Sequence, residues 1–354
     1  MLNIRIIHLP PLLAAVLILT ICVFFSGCYS LSQGVTMIGY LNKAVPLENI
    51  DDKEFIRLVN DIRAFAMEDL GLAQSRNYTR YVDIDRNYLA AVVSASEKDS
   101  FRRHEWGFPV VGRLPYKGFF NIEDARKERA KLEKRGLDVW IRGVDAFSTL
   151  GWFRDPLFSY MREYSKDRLA DLIIHELVHA TVFIKGQINF NEELAQFIGN
   201  EGSRLYIETR YGIDSDEYRK MQSSEEDHQK FIAFIQELIA ELEELYSTDR
   251  NLIGREEILA RKEEIIKTSQ ERFEAAYENN FTSANYRSFS SLPVNNAYLE
   301  LFRLYYTEDT FYEDLFEKMD RNLPSFIEAA KTITRRGAHP REQLKDAVSK
   351  KTQL

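Results

Sequence analysis

Cysteine is almost absent: the 354 residues hold two, Cys22 and Cys28, both near the start. Past them no pair exists to form a disulfide, so a folded domain must be held by its apolar core. An excess of positive charge is missing too. Forty-seven Lys and Arg stand against 55 Asp and Glu, a formal net charge of −8, and acidic and basic stretches alternate along the chain. That excludes a strongly basic face and, with it, nucleic acid as a partner. A comfortable membrane-spanning helix needs about 20 apolar residues. The run from Leu12 to Phe25 stops after about 14. Internal repeats and low-complexity tracts are also lacking.

What is present is the composition of a folded globular protein, 45% apolar and 29% charged. The length suits one large domain or two ordinary ones. Arg5 and His8, the apolar run and then Ser26-Gly27 read as a secretory signal peptide over residues 1–27. Cys28 follows at once, and this arrangement resembles the lipobox of bacterial lipoproteins. The resemblance implies that Cys28 becomes the first mature residue and carries acyl chains. The protein would then be lipid-anchored in the bacterial cell envelope, at the outer membrane and facing the periplasm. An uncleaved signal anchor is the alternative, and under both readings the bulk of the chain lies outside the cytoplasm.

Residues 28–50 read as a tether, and a single domain is expected over 51–335, with a basic tail from 336 to 354 expected to fray. Phe55, Leu58, Val59, Ile62, Phe65 and Ala66 form one helical face, with Gly71 as a stop. Short strands and turns are expected over 78–120, a helix from Asn121 to about Arg135 and a strand over Leu137–Val144. A helix capped by Ser165 is expected to run through Phe183, and a second to begin at Asn191. Residues 216–280, charge-rich and helical, suggest an inserted antiparallel hairpin with a break near Ser247–Gly254, and more helix follows over 295–335.

The chemistry centres on Ile174-His175-Glu176-Leu177-Val178-His179. Histidines at i and i+4 share one helix face with Cβ atoms about 5–6 Å apart. Both can reach one metal ion at about 2.0–2.1 Å. Glu176, one residue after the first, turns toward the open side, where it can take a proton from an attacking water. The bland reading is a buried helix with two satisfied histidines. A catalytic zinc site needs a third protein ligand and an open position, and no His-x-x-Gly-x-x-His extension exists. Asn191 is expected to cap the next helix, with Glu192 and Glu193 in its first turn. The Asn-Glu-x-x-Ala pattern resembles that of glutamate-ligand zinc peptidases and favours Glu192. Glu193, about 100° round the helix, is the alternative. Zinc peptidases place an edge strand beside the cleft, where substrate adds as a further strand. Ala146–Gly151 stands in the right order for it, making Ser148, Thr149, Leu150 and Gly151 substrate-binding candidates, or merely a core strand. Tyr286, Tyr298 and Tyr305 are candidates for polarising an oxyanion.

Together with Trp106-Gly107-Phe108-Pro109-Val110-Val111-Gly112, Ser148-Thr149-Leu150-Gly151-Trp152, Asp155-Pro156, Phe190-Asn191-Glu192 and Asn295-Asn296-Ala297, this motif resembles a bacterial family of putative aminopeptidases. Its members are predicted zinc lipoproteins, and the resemblance runs from about Asp51 to about Tyr306. With the elements read above it gives an α+β, mostly helical fold: a zincin-like metallopeptidase core with a small sheet and a long helical hairpin, the hairpin segment 216–280 being the least family-like part. It also implies one Zn2+ per chain on His175, His179 and Glu192, Glu176 as general base and a peptide substrate. Gly107 stands where the family commonly has cysteine, and Glu193-Leu194 where Ser-Phe is more usual. Two other readings compete: an anchored binding or scaffold protein using the 216–280 hairpin, and a zinc hydrolase of a non-peptide amide.

Overall fold

The computed structural model describes residues 39–40, 42–108, 112–144, 155–248, 252–303, 310–333 and 339–351. The expected signal peptide, Cys28, Ser148–Gly151 and Tyr305 lie outside the described residues. Among those described, no helix is long and apolar enough to cross a membrane.

Helix α1 (Lys53–Ala64) begins where the Asp52 side chain accepts a hydrogen bond from Phe55 N, at 3.0 Å. This capping satisfies one of the free amides of the first turn. Phe55, Val59 and Ile62 make its buried face. A π-helical turn, Phe65–Asp69, carries it on to Gly71, whose φ of +75° only glycine adopts without strain. The stop anticipated from the sequence is therefore real.

Among the described residues the β structure is three small sheets rather than one. In the first, β1 (Val45–Pro46) runs antiparallel to β2 (Arg80–Val82), which pairs in parallel with β8 (Leu157–Phe158). In the second, β3 (Ala90–Glu97) lies between β6 (Tyr116–Phe119) and β7 (Leu137–Val144), antiparallel to both. The third is the hairpin β4 (Trp106–Phe108) and β5 (Gly112–Leu114). Helix α2 (Ile122–Glu133) starts at Asn121, whose side chain accepts from Glu123 N at 2.9 Å. It covers the second sheet, setting Ala125 and Leu132 against Ala91, Val93, Ala95 and Val139.

Two helices then carry the motif region, α3 (Lys166–Thr181) and α4 (Ile188–Tyr211). The hairpin follows as α5 (Asp216–Ser247) and α6 (Arg255–Asn280), with the break where it was expected. Its helices are antiparallel: Lys230 donates to Asn280 O and Arg272 to Glu241. The hairpin has its own core, built of Phe231, Ile235, Phe273 and Phe289, and shared with Tyr298 and Leu299 of α7 (Asn296–Arg303). Asn296 ties that core to the second sheet. Its amide group donates to Glu97 O at 2.9 Å and accepts from the Tyr246 hydroxyl at 2.8 Å, while its backbone N–H donates to Asp138 at 3.0 Å.

The main core joins α1, α3, α4 and the first sheet to α8 (Phe311–Glu317), α9 (Leu323–Lys331) and α10 (Pro340–Lys351). The last helix corrects the reading of a frayed tail. Leu344 and Val348, four residues apart on one face, are fully buried against that core.

Candidate metal centre

Helix α3 is apolar where it meets the core, through Leu169, Ile173, Ile174, Leu177 and Val178. It packs on α4 at very short range because Gly199 and Gly202 carry no Cβ. A methyl on Gly202 would lie 3.1 Å from the Ile174 side chain, and one on Gly199 would lie 2.6 Å from Asp171 Oδ1 and 3.2 Å from His175 Cβ. The connection between the helices is tied by Asn191. Its side chain accepts from Ile184 N at 2.8 Å and donates to Ile184 O at 2.9 Å. Asn191 is thus not the cap that the sequence suggested. With its amide committed to Ile184, the helix starts three residues earlier, preceded by Gln187, and Glu192 and Glu193 stand beyond its first turn.

This packing brings His175, His179 and Glu192 together, with one ligand atom from each within 4.8 Å of the others. The two Nε2 atoms are 3.2 Å apart. Glu192 oxygens lie 3.7 Å from His175 Nε2 and 3.5 Å from His179 Nε2. Ligands about 2.0–2.1 Å from a tetrahedral ion are about 3.3–3.4 Å from one another. The two nitrogens are near that edge length, and Glu192 brings one oxygen, Oε2, near His175 and the other, Oε1, near His179, so the donor set fits a metal ion. Exposure rises across the cluster, from 3% for the His179 side chain through 19% for His175 to 60% for Glu192. One side is therefore walled by the core and the other open. Nδ1 of His179 is buried and makes no hydrogen bond among the described residues.

The electrostatics match a site for a cation. Hydrogen bonds from His175 and then His179 lower the Glu192 pKa to about 2. Burial opposes protonation of His175, but Glu192, Glu176 and Asp171 outweigh it and raise its pKa. Glu193 is used elsewhere. It accepts from Arg341 at 2.7 Å and from the Tyr312 hydroxyl at 3.3 Å, on α10 and α8. Between the two glutamates left open by the sequence, Glu192 faces the histidines and Glu193 holds the C-terminal helices.

Glu176 is buried and stands between the histidines in sequence, outside the ligand group. The charge of Glu176 reaches a residue that carries no mark in the sequence. Tyr78 is 2% exposed and has a φ of +61°, a left-handed conformation costly for a side chain of that size. Its setting over-determines it. Arg63 donates to Asn77 O at 2.9 Å and Ser75 O at 2.8 Å, Tyr78 N donates to Asp155 O at 2.7 Å, and the Asn77 amide donates to Asp155 Oδ2 and accepts from Asp155 N. Further back, Ala73 N donates to Thr181 Oγ1 at 2.9 Å, which ties the start of this segment to the last residue of α3. Burial, then the negative charges of Glu176 and Asp155, push the Tyr78 phenol well above its ordinary pKa. No spacing rule marks such a residue, since its position depends on one backbone angle and on contacts distant in sequence.

The tyrosines singled out from the sequence belong elsewhere. Tyr286 stacks on Phe231 with centroids 4.3 Å apart and bonds His228 Nδ1 at 2.8 Å. Tyr298 packs on Trp140 at 4.8 Å. Both sit in or against the hairpin core and are not brought to the histidine–glutamate group.

Two adjacent helices presenting two imidazoles and a carboxylate at this spacing define a class: proteins with a three-ligand centre that could hold a metal. Within it, the family model described as putative aminopeptidase matches residues 40–344, and the chain belongs to that family. Peptidase is accordingly its coarse functional class. No curated protein matches the chain, and neither does any solved structure.

Proposed function

We propose that this protein is a zinc-dependent peptidase with a zincin-like core, anchored to the cell envelope through acylated Cys28, and that it hydrolyses peptide bonds at the His175–His179–Glu192 centre. The observation that carries the reading is the gathering of two imidazole nitrogens 3.2 Å apart with a carboxylate whose two oxygens lie 3.7 Å from one and 3.5 Å from the other. A zinc ion held there supplies a Lewis acid that polarises the scissile carbonyl and lowers the pKa of water. The protein's own groups do the rest. Glu192 and the two imidazoles fix the cation at the mouth of a half-open site. Glu176 takes the proton of the attacking water and returns it to the leaving amine. Tyr78, whose backbone is fixed by Asp155 and whose phenol feels the charge of Glu176, stays protonated at all working pH values and can therefore donate a hydrogen bond to developing negative charge.

The two neighbouring glutamates test the assignment. Glu192→Gln should weaken zinc binding by at least about 100-fold and abolish chelator-sensitive hydrolysis of a peptide library. Glu193→Gln should keep both, losing under about 1 kcal/mol of stability, because its pairing with Arg341 is partly exposed. Equal zinc binding by Glu192→Gln and wild type would remove Glu192 from the site. Tyr78→Phe should lower kcat by about 10-fold or more, with KM and melting temperature nearly unchanged. An unaltered kcat would leave Tyr78 a purely structural residue.

A further inference from the structure

Asp171 precedes His175 by four residues, one helical turn, so the two side chains share a face of α3. Its Oδ1 is buried and receives no hydrogen bond among the described residues. Such an oxygen is costly to bury unless a donor meets it. Gly199 of α4 closes over the same spot. The point where its Cβ would be lies 2.6 Å from Asp171 Oδ1, 3.3 Å from Asp171 O and 3.2 Å from His175 Cβ. The carboxylate and the first histidine are thus sealed beneath one glycine, and a larger residue there would displace the carboxylate.

The charged groups whose fields reach Asp171 are His175, Asp167 and Arg168. Asp167 is itself an acid. Arg168 lies over the Tyr164 ring at 3.9 Å. His175 is the remaining partner, and its Nε2 faces His179 and Glu192. With Nε2 given to a cation, the one donor left on that ring is Nδ1–H. Imidazole ligands almost always pass this second N–H to a carboxylate, a carbonyl or water, which fixes the tautomer and the ring plane.

We propose that Asp171 is a positioning residue of the centre: its carboxylate accepts the Nδ1–H of His175 and holds that ring with Nε2 toward the cation, under the seal of Gly199. This rests on His175, His179 and Glu192 being the metal site. It gives the two histidines unequal support, since His179 Nδ1 has no such acceptor among the described residues.

The test is zinc affinity of the full-length chain by competition with a chromogenic chelator, for wild type, Asp171→Asn and Asp171→Ala. The expected result is about 10- to 100-fold weaker binding for Asp171→Ala, with Asp171→Asn between it and wild type because the amide oxygen can still accept. Affinities within twofold of wild type in both variants overturn the proposal. A second measurement needs no variant: in the zinc-loaded wild type, proton NMR should show a slowly exchanging, downfield His175 Nδ1–H, and its absence equally overturns the proposal. A wild type that binds no zinc at all is a separate outcome, because it refutes the metal centre itself.

Discussion

Replacing Glu176 by Gln should lower peptide hydrolysis by about 10²- to 10⁴-fold while zinc affinity stays at the wild-type value. The reasoning lies in its place on α3. Glu176 is one residue past His175, turned about 100° from it, and it is outside the ligand group. It is 8% exposed, so its carboxylate works in a partly dehydrated setting where a single charge has a large effect on a proton transfer. Glutamine keeps the volume and most of the polarity and removes only the base. The measurement is kcat/KM on a peptide substrate beside a zinc titration of the same preparation. A variant that retains activity, or that loses zinc and activity together, would take the role of base away from Glu176.

Asp138→Ala should have the largest effect on stability, about 3–5 kcal/mol, seen as a fall of very roughly 5–15 °C in melting temperature. Asp138 pairs with Lys262, whose side chain is 1% exposed, and also accepts from Asn296 N. Alanine leaves the ammonium of Lys262 buried with its counter-charge gone, and breaking one half of such a pair costs far more than the pair itself contributes. Replacing both partners should therefore recover much of the loss, and Asp138→Leu combined with Lys262→Met is the informative double variant. A loss below about 1 kcal/mol in Asp138→Ala would show that α6 does not depend on this pair for its seat on β7.

How far the sequence reveals the molecule varies with the range of the forces involved. The strand Leu137–Val144 and the helix after Ser165 are legible because their periodicity is local, as is the break between α5 and α6. The pair His175 and His179 is legible for the same reason, since helix geometry alone puts i and i+4 side by side. Glu192 and Glu193 are indistinguishable by local rules, and what separates them is Arg341, 148 residues further on. The start of α4 is not legible because Asn191 has a partner in Ile184, and a cap-forming residue caps only when its side chain is unoccupied. The tail is not legible because its basic residues hide two apolar positions on one face, Leu344 and Val348. Asp171, Gly199 and Tyr78 carry no local mark at all. Their importance comes from the approach of α4 to α3 and from the long-range bonds that fix Tyr78, to Asp155 above all.

The resemblance motifs other than the metal pair also gain physical content. Trp106 donates to Glu128 at 2.8 Å and is buried under α2, and Asn296 stitches α7 to β3 and β7. Asp155 holds the strained segment at Tyr78. Trp106 and Asn296 hold the second sheet to α2 and α7, and Asp155 holds the segment whose Tyr78 feels the charge of Glu176.

Zinc at His175, His179 and Glu192 is the claim on which the other roles depend. Elemental analysis of the purified chain, grown with zinc supplied and run beside His179→Ala, should find about one zinc per chain in the wild type and almost none in the variant. Wild-type protein that remains metal-free under those conditions would contradict it.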